Sequence, residues 1–105
     1  MKPAELRPLA GEDLVERARY YVEAGGGELG RRFFAAATDA LRSAGSMPGI
    51  GSPAIGELIE VPGLRRVGVA GFSCGWFYLE RDDHLDVVRL LADRQHLHSL
   101  LGGMG

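Results

Sequence analysis

The fold is decided by the stretch GFSCGWFYLERDDHLDVVRLLADRQHL, residues 71–97. It predicts two strands, 72–80 and 84–92, because both runs are rich in aromatic and branched apolar residues. The charged segment RDDH joins them, and its aspartates tolerate turn conformations. Both strands carry apolar side chains on both faces, which is typical of a hairpin that is covered on both sides. We therefore expect this hairpin to form the centre of a sheet.

The alternation along each strand predicts which side chains share a face. In the first strand, one face is expected to carry Phe72, Cys74, Trp76 and Tyr78, and the other Phe77 and Leu79. In the second strand, one face is expected to carry Leu85, Val87 and Leu91, and the other Val88 and Leu90.

Two further strands are expected to extend this sheet. Residues 64–70 form a strand pattern just before the hairpin, and residues 4–9 form a short one at the start of the chain. Pro8 confines that first strand to an edge or ends it, because proline cannot donate to the ladder. The long connection 46–63 is expected to be irregular, with a short strand at 57–61.

The remaining residues predict two helices. Apolar residues recur at helical spacing over 11–27 and 28–45, and Gly25, Gly26 and Gly27 separate the two runs. A glycine-rich connection this short predicts that the two helices form an antiparallel hairpin. The fold class predicted is therefore α+β, with a two-helix antiparallel hairpin packed on a small, mainly antiparallel sheet of three to four strands. We expect residues 1–105 to make a single domain.

The composition narrows the classes of function. The net charge is −2 and the isoelectric point about 5.9, so the chain as a whole gives no support for direct nucleic-acid binding. A single cysteine excludes an intrachain disulfide and fits a reducing cytoplasm. The first residues lack the apolar core of a signal peptide, and no apolar run approaches the ~20 residues that cross a bilayer. We expect a cytoplasmic protein with no membrane association.

Motifs for cofactors and metals are missing from the sequence. His84, His96 and His98 have no carboxylate or cysteine at metal-ligand spacing, so no metal site is predicted. Cys74 lies in an apolar strand and is expected to be a buried structural thiol. No phosphate loop or nucleophile elbow is present, because the glycine-rich GGGELG does not follow an apolar strand. No cofactor is expected.

The arginines are the more informative polar residues. Arg65, Arg66 and Arg89 lie within predicted strands, and Arg94 follows the last one. Arg89 is flanked by valines and leucines, so its charge needs a partner or an open face. Two interpretations stay open at this point. Arg89 forms an ion pair within the hairpin, with Glu80, Asp82 or Asp86, or the sheet presents its arginines to an acidic partner or a phosphate.

The order of these segments resembles the RelE/ParE superfamily of bacterial toxins. The matching strand segments are Gly63–Arg65, Trp76–Tyr78 and Val87–Leu91. The matching helical positions and those just after them are Asp13, Leu14, Tyr21, Phe33, Leu41, Pro48 and Gly51. The similarity covers about residues 5–101 and implies the toxin half of a type II toxin–antitoxin pair, whose partner is a small antitoxin.

Two activities occur among the proteins that this chain resembles. RelE-like members cleave messenger RNA on the ribosome, whereas ParE-like members poison DNA gyrase. The mildly acidic chain, and Ala92 at a position where a histidine is common, favour the ParE-like branch and DNA gyrase as a candidate target. The alternatives are a RelE-like endoribonuclease and a degenerate, non-toxic binding module.

These hypotheses assign different roles to the end of the chain. A ParE-like toxin is expected to bind its partners through Arg89, Arg94, Leu97, Leu100 and Leu101. No catalytic residue is expected for it. An endoribonuclease would instead use Arg65, Arg89, Arg94 and His96. The apolar tail leaves both a homo-oligomer and a toxin–antitoxin hetero-oligomer open.

Overall fold

The computed structural model describes residues 1–94, which form a two-layer α+β fold. The strands are β1 (Ala4–Leu6), β2 (Arg65–Gly68), β3 (Cys74–Glu80) and β4 (Leu85–Ala92). The helices are α1 (Pro8–Ser46) and α2 (Ala54–Leu58), with a 3₁₀ turn at Pro48–Ile50 between them. The strand order is β1-β4-β3-β2, in which β1 runs parallel to β4 and the other neighbours are antiparallel. The predicted fold class is confirmed, with the hairpin β3–β4 at the centre of the sheet.

Helix α1 is folded back on itself at Gly26. The backbone there has φ 83° and ψ −179°, a conformation that glycine adopts without steric cost. Gly30 then lies against Val22 and Ala18, with no room for a side chain between them. Residues 8–25 and 27–46 are therefore the two arms of the predicted antiparallel hairpin.

The beginning of α1 differs from the prediction. The helix starts at Pro8, so β1 ends at Leu6 and is shorter than the expected 4–9. Proline suits the first helical turn because its missing N–H would be unpaired there anyway. The aspartate Asp13 consequently lies beyond the first turn and is available for a tertiary contact.

The face of the sheet toward α1 holds the larger core. Its fully buried side chains include Trp76 and Tyr78 of β3 and Phe33 of α1. Alanines at positions 37, 40 and 44 let the helix approach the strands closely. The indole of Trp76 donates to the carbonyl of Ala37 at 2.9 Å, so the buried N–H is satisfied.

The opposite face of the sheet, which we call the outer face, carries a second apolar cluster. Its buried members are Leu64, Phe77, Leu79, Val88 and Leu91. Ile55 and Ile59 of the connection pack against it. The expected strand at 57–61 is therefore wrong: α2 and a following turn occupy this segment, since a helical turn is what brings residues four apart onto one side.

A β-bulge explains one error in the predicted faces. Phe77 pairs with Arg89 and Tyr78 with Val87, so Val88 is an extra residue in β4. Beyond it the alternation shifts, and Leu90 joins the α1 side whereas Leu91 lies on the outer face. The assignments for β3 are confirmed.

The first strand is held to β4 by an ion-pair cluster. Arg7 donates two hydrogen bonds of 2.9 Å to the carboxylate of Asp86, and Arg81 donates a third of the same length. These guanidinium groups lower the pKa of Asp86 to about 2.

None of the helices within residues 1–94 has both the length and the apolar character that crossing a bilayer requires.

Candidate functional site

Arg89 is tied to α1 by a part-buried ion pair. Its Nε and Nη2 donate to the two carboxylate oxygens of Asp13 at 2.7 and 3.0 Å. The backbone N–H of Leu90 donates to the same carboxylate at 3.0 Å. The side chains of both ions are about 15% exposed. The interpretation that Arg89 pairs within the hairpin, with Glu80, Asp82 or Asp86, is therefore wrong. Its partner Asp13 lies on α1, which contacts β4 beyond the residues that pair with β1.

Arg65 is engaged at the other edge of the sheet. It lies on β2 and donates to the carbonyl of Gly51 at 2.7 Å. The hydroxyl of Tyr78 holds the same loop, since it accepts from the N–H of Gly51 at 3.0 Å and donates to the carbonyl of Pro48 at 2.6 Å. Burial raises the pKa of Tyr78, so the phenol stays neutral and can donate. Arg65 and Tyr78 thus fix the segment between α1 and α2.

Arg66 crosses the end of the sheet on its outer face. Its guanidinium lies over Gly75, where any side chain would collide with it. It ends in an ion pair with Asp93, at 2.6 Å. The charge of Asp93 is therefore balanced by a neighbour on another strand.

A polar cleft lies beside this pair, between the first arm of α1 and the end of β4. It has a volume of about 540 Å³. We call it the arginine cleft; its lining is Arg17, Tyr20, Tyr21, Ser73, Ala92, Asp93 and Arg94. The guanidinium of Arg17 stands over the ring of Tyr20, 5.4 Å from the centroid. Within residues 1–94, neither Arg17 nor Arg94 makes an ion pair.

The aromatic wall of the arginine cleft is anchored in the core. Tyr21 packs on Phe33 and Phe72 with centroid distances of 4.9 and 4.8 Å. Burial raises the pKa of the Tyr21 hydroxyl, and the nearby charge of Arg17 opposes this only in part. The phenol is therefore neutral near pH 7 and can act as a hydrogen-bond donor.

The thiol of Cys74 is buried, as expected, and burial also raises its pKa. Because a thiol needs to ionise to act as a nucleophile or metal ligand, this environment makes it unreactive. Among residues 1–94, no three histidine, cysteine or acidic side chains are grouped as a metal site would require.

The residues singled out in the sequence are not brought together as one set. Arg65 lies on the edge strand β2 and Arg89 on β4, with β3 between them. Arg94 lies in the arginine cleft, exposed to solvent. His96, Leu97, Leu100 and Leu101 lie outside the described residues. Their roles, like those of Arg89 and Arg94 in partner binding, stay predictions.

Sequence reasoning missed Arg17 and Tyr20 as site residues. Their spacing of three is the signal that places both on one side of a helix. Nothing in the sequence, however, indicates that this side of α1 meets the end of β4. The role of Asp13 was missed for the same reason.

Comparisons with known proteins bear on the fold. A scan against models of protein families and a search of curated proteins both found no match. A solved structure described as the chromosomal ParDE TA system from P. aeruginosa contains a similar chain, with a TM-score of 0.73. The similarity covers 88% of this chain and 96% of that one, at 17% sequence identity. The fold expected from the sequence resemblance is thereby confirmed as ParE-like.

Proposed function

We propose that this protein is the toxin of a type II toxin–antitoxin pair, neutralised by a small antitoxin and directed at DNA gyrase through protein–protein contacts. The observation that carries the proposal is the ParE-like fold, shared over most of both chains with a member of a ParDE system. The resemblance in the sequence, read from the strand and helix segments, points the same way.

The positions of the arginines favour a protein target over messenger RNA. Cleavage of RNA needs acid, base and cationic groups that converge on one phosphate. Arg65 is engaged by loop carbonyls at one edge of the sheet, and Arg89 by Asp13 beyond β4. Arg65 and Arg89, two of the four residues in the alternative catalytic set, are therefore held apart and do not converge on one phosphate.

Arg89 and Arg94, which both belong to the proposed partner surface, are proposed to have different roles. Arg94 is exposed in the arginine cleft and is available to contact a partner directly. Arg89 is committed to Asp13, so its contribution is to hold α1 against β4 and thereby shape the cleft. The antitoxin and the gyrase are proposed to approach this end of the molecule.

The test is controlled expression in a bacterium, with and without the adjacent reading frame. We expect growth arrest and gyrase-dependent DNA breaks, both relieved by the neighbouring gene. Purified protein should inhibit supercoiling by gyrase in vitro, and messenger RNA should stay intact. Cleaved messages in arrested cells would instead establish the endoribonuclease alternative, and a lack of arrest would favour the non-toxic binding module.

A matched pair of variants sharpens this test. Arg94→Glu changes the cleft, whereas Arg32→Glu makes the same change of charge on an exposed position of α1. We expect Arg94→Glu to weaken neutralisation or gyrase inhibition and Arg32→Glu to leave both unchanged. Equal behaviour of the two variants would remove Arg94 from the proposed surface.

A further inference from the structure

The arginine cleft holds cationic charge that the described part of the chain does not neutralise. The side chains of Arg65, Arg66 and Arg89 each have a carboxylate or carbonyl partner. Within residues 1–94, Arg17 contacts the face of Tyr20 and makes no ion pair, although its side chain is partly buried. A partly buried guanidinium without an anion retains donors that a ligand can satisfy.

Residues with neutral hydroxyl groups line the cleft together with these cations. Tyr21 and Ser73 line the same cleft, and burial raises the pKa of Tyr21 so that its hydroxyl keeps its proton. Tyr20 adds a large aromatic surface that is 56% exposed. Tyrosine and arginine are among the residue types enriched where the binding energy of protein interfaces is concentrated.

We infer that the arginine cleft receives the side-chain carboxylate of a glutamate or aspartate from a protein partner. The guanidinium groups of Arg17 and Arg94 pair with the carboxylate, and the aromatic face of Tyr20 covers the adjoining part of the partner segment. This deepens the proposed function and rests on it, since the partner is the antitoxin.

The charges around the cleft favour a single carboxylate over a nucleic-acid backbone. A second depression shares the walls Arg17 and Tyr20, and it is lined by Asp13 and Glu16. The charge of Asp13 is matched by Arg89, but Glu16 makes no ion pair within residues 1–94. The successive phosphates of a nucleic acid would pass close to the carboxylate of Glu16, which would repel them. A peptide can place one acidic side chain in the cleft without this repulsion.

The first experiment measures the affinity of the purified protein for the product of the adjacent reading frame. Arg17→Glu and Arg94→Glu should each weaken binding about 10-fold or more, because hydrogen bonds to charged groups are lost and repulsion replaces them. Arg32→Glu is the control, with the same charge change on an exposed part of α1. Changing one acidic residue of the partner to arginine should restore binding to Arg17→Glu or Arg94→Glu.

The second experiment needs no protein partner. Glutarate and inorganic phosphate are titrated separately into the isotope-labelled protein, and the backbone amide signals of Tyr21 and Ser73 are followed by nuclear magnetic resonance. We expect a saturable shift with glutarate that is lost in Arg17→Gln, and a weaker response to phosphate.

The outcomes separate the failure of this inference from that of the proposed function. If no neighbouring product binds but glutarate does, the antitoxin assignment fails and the carboxylate cleft stands. If the partner binds both cleft variants as tightly as Arg32→Glu, the inference is overturned while the toxin–antitoxin pairing survives. A response to phosphate alone, or to neither probe, also overturns it.

Discussion

The sheet and the arginine cleft use the same residue type in opposite ways. At the sheet, Arg65, Arg66 and Arg89 each end on a partner from a distant part of the chain. In the cleft, Arg17 and Arg94 have no anionic partner within residues 1–94. The paired arginines connect elements of the fold, whereas Arg17 and Arg94 keep donors that no anion among residues 1–94 occupies. Among the arginines of the sheet and of the cleft, pairing therefore separates those that hold the fold together from those that we propose contact a partner.

The largest expected loss of stability comes from breaking the ion pair between Asp13 and Arg89 of the sheet. Asp13→Ala leaves the guanidinium of Arg89 and the N–H of Leu90 without an acceptor. Removing one member of a largely buried pair should lower the free energy of unfolding by about 3 kcal/mol. The exposed pair Asp39–Arg42 is the control, and Asp39→Ala should cost at most about 0.5 kcal/mol. Urea unfolding measures both, and equal losses would show that Asp13 is no more structural than a surface residue.

The hydroxyl of Tyr78 should give the next largest loss. Tyr78→Phe removes the donor to Pro48 and the acceptor for Gly51, both close to the buried ring. We expect a loss of about 1.5 kcal/mol, the usual cost of leaving such groups unsatisfied. Tyr20→Phe is the matched control, because Tyr20 is 56% exposed. A stable Tyr78→Phe variant would mean that the loop is held by Arg65 alone.

The cluster at Asp86 predicts a dependence of stability on pH. Because the pKa of Asp86 is about 2 in the folded protein and 3.8 ordinarily, its contribution is complete above pH 3.8 and is lost as the pH falls through about 2. We expect about 1 kcal/mol from this group, since solvent screens its half-exposed arginine partners. Urea midpoints across this range should fall less steeply for Asp86→Asn than for the wild type. Parallel curves would rule out Asp86 as a source of the acid sensitivity.

The smallest effect is expected in the arginine cleft. Arg17→Gln and Arg94→Gln should change the free energy of unfolding by less than about 0.5 kcal/mol, because neither side chain forms an ion pair with any of residues 1–94. Thermal and urea unfolding would measure this. A loss as large as that of Asp13→Ala would place these arginines among the structural ones and remove the contrast between the two regions.

Much of the fold could be predicted because its signals are local. The strands β3 and β4 are marked by apolar residues on both faces, and their turn by adjacent aspartates. The break of α1 is marked by three consecutive glycines, of which Gly26 carries the non-helical conformation. Each of these features depends only on residues a few positions apart.

The missed features depend on distant partners. Asp13 and Arg89 are 76 positions apart, and only the packing of α1 beside β4 brings them together. The extra residue Val88 is set by the register with β3, which a single strand does not reveal. The short apolar run that became α2 is compatible with either a strand or a helix. The arginine cleft was missed for the same reason as the Asp13 pair.

The parallel pairing of β1 with β4 has a consequence for the order of folding. Ala4 lies opposite Leu85, so β1 acquires its neighbour only after β4 has been synthesised. Contacts between such distant positions slow folding, because a long loop must be closed before they form. On the ribosome, the helical hairpin can therefore assemble early, whereas β1 can pair only after β4 has emerged.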